Sequence, residues 1–200
     1  MKIILASQSA RRRDILENLG IKFDIKVSQV DETMSGELSA GENVEAVSLR
    51  KAMAVETELG IKYEDDTLII ASDTVVVCDG VILGKPVDKA HATSMMRMLS
   101  GRRHSVMSGI AVIYRGKRVS AYEETEVEFR TLTDSEIEAY VSTDEPYDKA
   151  GGYGIQDKAA IFVRGIHGDY LNVVGLPVYR LCRILKKEFG IEFFGGFTVS

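Results

Sequence analysis

Residues 2–27 read KIILASQSARRRDILENLGIKFDIKV. The opening run KIILA, residues 2–6, is short and apolar, as a buried strand is. Ser9 stands at the N-cap position of a helix running from Ala10 to about Leu19, with Ile15, Leu16 and Leu19 on one face and Gly20 closing it. Residues 21–27, IKFDIKV, then alternate as a second strand does. Strand, helix and strand joined by a tight first turn are the βαβ unit of an α/β protein.

Outward from there, residues 28–42 are polar and loop-like, and Asn43 opens a helix to about Leu59. Residues 68–78, LIIASDTVVVC, form a long apolar run, and Asp79-Gly80 turns it back through residues 81–83. Asp88 caps a helix to Leu99 with a Met-rich face that reads as ordinary core. Residues 105–114 and 118–130 read as a hairpin around Arg115-Gly116. A helix from Asp134 or Ser135 to about Val141, a strand over 159–164 and a last helix over 176–189, begun by Pro177, complete the chain. Helices between strands together with hairpins predict a mixed, twisted β-sheet flanked by helices rather than a uniform doubly wound one. The whole chain, 1–200, reads as a single domain.

Composition narrows the function classes. Hydrophobic residues are 45% and charged residues 28% of the 200, the balance of a folded globular chain. The net charge of -5, from 25 Lys+Arg and 30 Asp+Glu, and the lack of tryptophan argue against a nucleic-acid polymer as partner, Arg11, Arg12 and Arg13 notwithstanding. No run approaches the roughly 18 apolar residues of a membrane span. The charges follow the first apolar run rather than precede it, unlike a signal peptide. Cys78 and Cys182 lie in apolar surroundings without CxxC spacing, so buried thiols and a cytoplasmic location are expected.

Three stretches carry chemistry. Ser7-Gln8-Ser9-Ala10-Arg11-Arg12-Arg13, between a strand and a helix N-terminus, gathers hydroxyls, guanidinium groups and free N–H groups suited to phosphate. The alternative is a helix cap followed by exposed arginines. Asp73 interrupts Ile69-Ile70-Ala71-Ser72-Asp73-Thr74-Val75-Val76-Val77, where a carboxylate is costly unless paired, metal-bound or at a cleft; a bulge turning it to solvent would also explain it. Asp148-Lys149-Ala150-Gly151-Gly152-Tyr153-Gly154-Ile155-Gln156 lets backbone approach a ligand, with Lys149 offering charge and Gln156 an amide for a base edge. A mobile surface loop is its alternative. Asp31, Glu32 and Asp73 suit a hard divalent cation, and Lys51 and Lys85 could neutralise a polyphosphate or be solvated surface charges. His91, His104 and His167 lack metal-ligand spacing and read as surface or structural, and no GxSxG elbow supports a covalent nucleophile.

Taken in order, Leu5-Ala6-Ser7-x-Ser9-x-Arg11-Arg12, Glu32, Lys51-Ala52, Asp73-Thr74, Gly84-Lys85-Pro86, Leu99-Ser100-Gly101, Asp148-Lys149-Ala150-Gly151 and Tyr153-Gly154-Ile155-Gln156 closely resemble the Maf family, from Ile4 to Pro177. The resemblance implies a nucleoside triphosphate pyrophosphatase, cutting between the α and β phosphates with a divalent metal (Mg²⁺, Mn²⁺ or Co²⁺). It also implies a fold like that of inosine-triphosphate pyrophosphatases, two lobes with a central cleft. Asp73 is then the proton acceptor, and Arg11, Thr74 and Gln156 bear on substrate choice. The Gly-Ile-Gln form resembles the branch acting on dTTP and UTP, with modified pyrimidine nucleotides as further candidates. Two residues depart from the family's usual pattern: Ala10 stands where a proline is usual, and Gly152, where an alanine is usual, should loosen the base loop.

The resemblance leads to a mechanism in which Glu32 and Asp73 hold the metal and Asp73 activates water. Ser7, Arg11, Arg12, Lys51, Lys85 and Lys149 bind substrate, and Thr74 and Gln156 read the base. The family's link with septum formation keeps a non-catalytic nucleotide-binding regulator of cell division as a second reading, and a homodimer stays open.

Overall fold

The computed structural model describes residues 1–27, 29–62 and 64–192; Ser28, the first residue of the polar stretch, lies outside them. The strands are β1 (Lys2–Leu5), β2 (Asp24–Ile25), β3 (Thr67–Cys78), β4 (Val81–Leu83), β5 (Arg103–Tyr114), β6 (Lys117–Phe129) and β7 (Val163–His167). The helices are α1 (Ala10–Asn18), α2 (Ala40–Leu59), α3 (Lys89–Leu99), α4 (Asp134–Val141), α5 (Tyr170–Val174) and α6 (Val178–Phe189). Among the described residues the strands make one seven-stranded sheet in the order β2-β1-β3-β5-β6-β7, with β4 on β3. β1 runs parallel to β2 and β3, whereas β3–β4 and β6–β7 are antiparallel. The sheet is mixed, as the alternation of crossovers and hairpins requires.

Both hairpin turns use the left-handed backbone that a tight two-residue connection demands: φ is +51° and +77° at Asp79-Gly80, and +48° and +71° at Arg115-Gly116. Helix starts depart from expectation. α2 begins at Ala40 rather than Asn43, because Ser39 and Glu42 form a reciprocal capping box. Asn43 instead ties down the preceding loop, its amide bonding Ser35 N and the carbonyls of Ser35, Leu38 and Ser39. α4, by contrast, begins at Asp134 as expected, with Thr133 and Glu136 forming a capping box ahead of it. Ser9 sits at the α1 N-cap without a side-chain cap bond. The expected strand over 21–27 is confined to two residues. The expected strand over 159–164 is a 3₁₀ turn, Lys158–Phe162, followed by β7. Ala159 and Phe162 both reach the core there, and their spacing of three fits a 3₁₀ turn rather than a strand.

The chain divides into two compact units. The first comprises Met1–Asp73, Ser108–Glu123 and Gly175–Ser200, the second Thr74–Met107 and Glu124–Val174. In the first, Ile4, Ile69, Ala71, Ala111 and Ile113 from the strands pack with Ala52 and Val55 of α2. α2 lies so close to β5 that a Cβ on Gly109 would stand 2.1 Å from the Val44 carbonyl oxygen, so only glycine fits. In the second, α3 and α4 supply Met95, Met96, Leu99, Ile137 and Tyr140 to a core with Val76, Phe129, Tyr153 and Phe162. The Met-rich face of α3 is core, as expected. Asp73 and Thr74 are consecutive residues of β3, one in each unit.

Candidate active site

In the first unit the site grows from the end of β1. The Ala6 N–H still donates to the Ile70 carbonyl, fixing the exit of the strand beside β3. Ser7, buried, accepts bonds at Oγ from the Ser9 N–H (3.2 Å) and from Arg12 Nη1 (3.1 Å). Arg12 Nε donates to the Gly175 carbonyl at 2.8 Å, and Ser72 Oγ donates to the same oxygen at 2.8 Å. Gly175 has φ +121°, a conformation that favours glycine, and its carbonyl gathers α1, β3 and the approach to α6.

Asp73 keeps only 12% of its side-chain surface exposed, within an unbroken strand, so the bulge reading is set aside. Its Oδ1 lies 2.7 Å from Lys51 Nζ, and Glu32 Oε1 lies 3.0 Å from the same nitrogen. Lys51 is itself 14% exposed, projecting from α2, while Glu32 stands on the polar loop. That loop is shaped by the Thr33 N–H donating to Asp31 Oδ1 and by Arg50 Nη2 donating to the Thr33 carbonyl. Of the three carboxylates that composition offered for a cation, Glu32 and Asp73 therefore converge. Asp31 bonds Thr33 instead, and those bonds lower its pKa.

The Arg12 guanidinium belongs to the same field. Burial lowers its pKa from the ordinary arginine value; Asp73 and Glu32 pull it back up, and Arg11 pushes it further down. Three cations and two carboxylates thus share one patch, where a polyanion would meet excess positive charge. Two converging carboxylates are hard oxygen donors that fit a small divalent ion completing its shell with water and phosphate. Among the described residues no group of three or more His, Cys, Asp or Glu gathers.

The second unit holds the remaining expected residues. Thr74 is half-buried on β3, and Lys85 is exposed just after β4. The Gly151 N–H donates to the Gly84 carbonyl at 3.0 Å, joining the lysine-bearing segment to the glycine-rich stretch. The glycines serve packing: a Cβ on Gly151 would meet Val76 Cγ2 at 2.7 Å, and one on Gly152 would meet Pro86 Cγ at 3.1 Å. Gln156 is exposed on a turn closed by the Asp157 N–H on the Gly154 carbonyl. Lys149 is only 7% exposed and spends its ammonium on the Glu145 carbonyl (2.9 Å), Asp148 (2.7 Å) and Asp157 (3.5 Å). Two structural groups beside these residues carried no sequence signal: the Gly175 carbonyl, which accepts from Arg12, and His104, whose partner Tyr153 is 49 residues away.

A carboxylate pair on one ammonium beside a serine–arginine turn, in a mixed α/β chain, makes a charged patch of the kind that suits a polyanion. The chain belongs to the Maf-like protein family, whose model matches residues 2–188. It is similar to the dTTP/UTP pyrophosphatase of Bacillus anthracis (strain CDC 684 / NRRL 3495), with 48% identity over 191 residues, 96% of this chain and 97% of that protein. The dTTP/UTP pyrophosphatase of Bacillus cereus (strain AH187) is 47% identical over the same shares. Among solved structures, the Staphylococcus aureus Ham1 protein is similar with a TM-score of 0.43 and 14% identity, over 64% of this chain and 72% of that one.

Proposed function

We propose that this chain is a nucleoside triphosphate pyrophosphatase that converts dTTP and UTP to the monophosphate and pyrophosphate. The observation that carries the reading is the convergence of buried Asp73 and exposed Glu32 on Lys51, beside Arg12. Ser7, Arg11, Arg12, Lys51 and Lys85 bind the phosphates, and Thr74 and Gln156 read the pyrimidine. Glu32 and Asp73 hold a divalent cation (Mg²⁺, Mn²⁺ or Co²⁺), which when bound offsets charge on the phosphate oxygens.

Asp73 does the proton work. Its Oδ1 is engaged by Lys51, which leaves Oδ2 to orient a water molecule and accept its proton. The water oxygen bonds to the α-phosphorus as the bond from that phosphorus to the α–β bridging oxygen breaks. Pyrophosphate leaves with the bridging oxygen, and Arg11, Arg12 and Lys51 stabilise the charge it gathers. No covalent enzyme intermediate is needed. The substrate is the free nucleotide in the cytoplasm, a reading supported by the net charge of -5 and the free Cys78 and Cys182. Among the described residues no helix is long and apolar enough to cross a membrane.

The test is product analysis of dTTP and UTP turnover with Mg²⁺, Mn²⁺ or Co²⁺. Monophosphate and pyrophosphate in equal amounts are expected. Release of inorganic phosphate and a diphosphate would overturn the cleavage position, and stoichiometric binding without turnover would leave a nucleotide-binding regulator.

A further inference from the structure

The turn that carries Gln156 is held at both ends by groups that play no part in the chemistry above. At one end Tyr153, buried, places its hydroxyl 2.7 Å from His104 Nε2. His104 is 3% exposed on β5, and Phe129 packs edge-on against both rings, with centroids 5.0 Å and 4.7 Å away. The preceding Gly152 carbonyl accepts a bond from the Tyr140 hydroxyl at 3.1 Å. At the other end Asp157 Oδ2 lies 3.5 Å from the enclosed ammonium of Lys149. The turn closes directly over that lysine, since a Cβ on Gly154 would stand 2.7 Å from Lys149 Cε.

The histidine–tyrosine bond is not explained by stability. His104 Nδ1 is buried with no hydrogen-bond partner among the described residues, a cost of about 1–3 kcal/mol for a group stripped of water. Burial holds the imidazole neutral, with its pKa down to about 4, and pushes the Tyr153 hydroxyl above the ordinary tyrosine value. Phenylalanine at both positions together would fill a similar aromatic space without a stranded polar atom. The bond's distinctive effect is to fix one point of the chain immediately before the turn. Pre-ordering of this kind matters where a side chain must meet a ligand edge in one orientation, because ordering it on binding would cost affinity.

We propose that His104 and Lys149 are positioning residues for nucleobase selection: through Tyr153 and Asp157 they clamp the turn 154–157 so that the Gln156 amide is presented in a fixed orientation. Lys149 then acts from beneath the turn rather than on the phosphates. The inference rests on the reading that Gln156 meets the base.

The test compares wild type with Gln156→Ala, Tyr153→Phe, His104→Phe and His104→Gln, measuring kcat and KM for UTP and GTP and thermal unfolding of each. Gln156→Ala should lower the UTP-to-GTP preference in kcat/KM. Tyr153→Phe and His104→Phe should lower it too, by roughly tenfold, as expected when a pre-ordered contact must be ordered on binding. That loss should fall on KM for UTP, with kcat within about threefold. Each single variant strands its partner's polar atom and should lower Tm, whereas the double variant Tyr153→Phe/His104→Phe should keep Tm while losing the same preference. His104→Gln, which keeps a polar atom near the Nε2 position, should recover part of the preference. If Gln156→Ala loses selectivity while Tyr153→Phe and His104→Phe keep it, the clamp is refuted and base reading stands. An unchanged profile in Gln156→Ala refutes base reading, and the clamp with it. A fall of kcat for both nucleotides in step with Tm assigns the pair a purely structural role and also overturns the inference.

Discussion

Around Asp73, in the first unit, like charges are crowded together and balanced by unlike ones. Lys51 draws two carboxylates onto a single nitrogen, and Arg12 sits in the field of Arg11, Asp73 and Glu32. Around Gln156, in the second unit, the order comes from packing and neutral bonds: glycines against Val76 and Pro86, an imidazole on a phenol, one enclosed lysine. The first arrangement stores electrostatic energy that a substrate and a cation can rearrange. The second resists rearrangement. Chemistry on a triphosphate calls for the former, and discrimination between bases calls for the latter.

The contrast breaks most visibly at Asp73. Asp73→Asn keeps shape and burial but removes the proton acceptor, so kcat for UTP should fall by about a thousandfold or more, with nucleotide binding largely retained. Rapid-quench and steady-state assays check this, and turnover near wild type would remove Asp73 from the mechanism. Lys51→Met comes next. It leaves Asp73 and Glu32 facing each other without their shared cation, and breaking the enclosed Lys51–Asp73 pair should cost about 3 kcal/mol in urea unfolding without metal. Mn²⁺ should then raise the variant's Tm by more than it raises that of wild type. Equal shifts would mean that the metal and the ammonium do not draw on the same carboxylates.

A neutral, buried His104 makes the second unit sensitive to acid in a defined direction. Its pKa is about 4 in the folded chain against 6.5 when free. Above pH 6.5 both states carry neutral imidazole and the group contributes no pH slope. As pH falls from 6.5 towards 4, the unfolded chain takes up the proton first, and stability drops by up to about 3 kcal/mol. Below pH 4 both states are protonated and the loss levels off. His104→Phe should flatten this window relative to wild type when unfolding free energy is measured from pH 7.5 to pH 4.

The two regions were unequally legible in the sequence. A carboxylate inside Ile69-Ile70-Ala71-Ser72-Asp73-Thr74-Val75 is conspicuous because burial forbids it without a partner, but its partner Lys51 lies 22 residues back on α2 and reads in the sequence as a phosphate contact or a surface charge. Asp79-Gly80 and Arg115-Gly116 were equally plain, since tight hairpins demand such residues. The capping box at Ser39 is visible as S-x-x-E and places the start of α2 three residues before Asn43, whereas the T-x-x-E box at Thr133 agrees with a helix opening at Asp134. The surroundings of Lys149 were not legible in the pattern alone. A lysine beside three glycines resembles a ligand contact, and nothing local shows that Asp157, eight residues on, encloses it. A glycine-rich string does not disclose whether the space it vacates is for a ligand or for Val76.

Gly151 and Gly152 sharpen the comparison at the smallest scale. Both have left-handed backbone, φ +67° and +71°, where an alanine is strained by roughly 1–2 kcal/mol. Alanine also narrows the unfolded ensemble, which returns about 0.4–1 kcal/mol. For Gly152→Ala the new Cβ would meet Pro86 Cγ at 3.1 Å, a contact relieved by a shift of a few tenths of an ångström. The net loss should be about 0–1.6 kcal/mol. For Gly151→Ala the Cβ would stand 2.7 Å from Val76 Cγ2, in the middle of β3, and overpacking adds about 1–3 kcal/mol. Unfolding of the two variants side by side should therefore separate them, with Gly151→Ala the weaker protein. If both lose the same stability, backbone strain alone governs the pair, and the glycines do not mark close packing against β3.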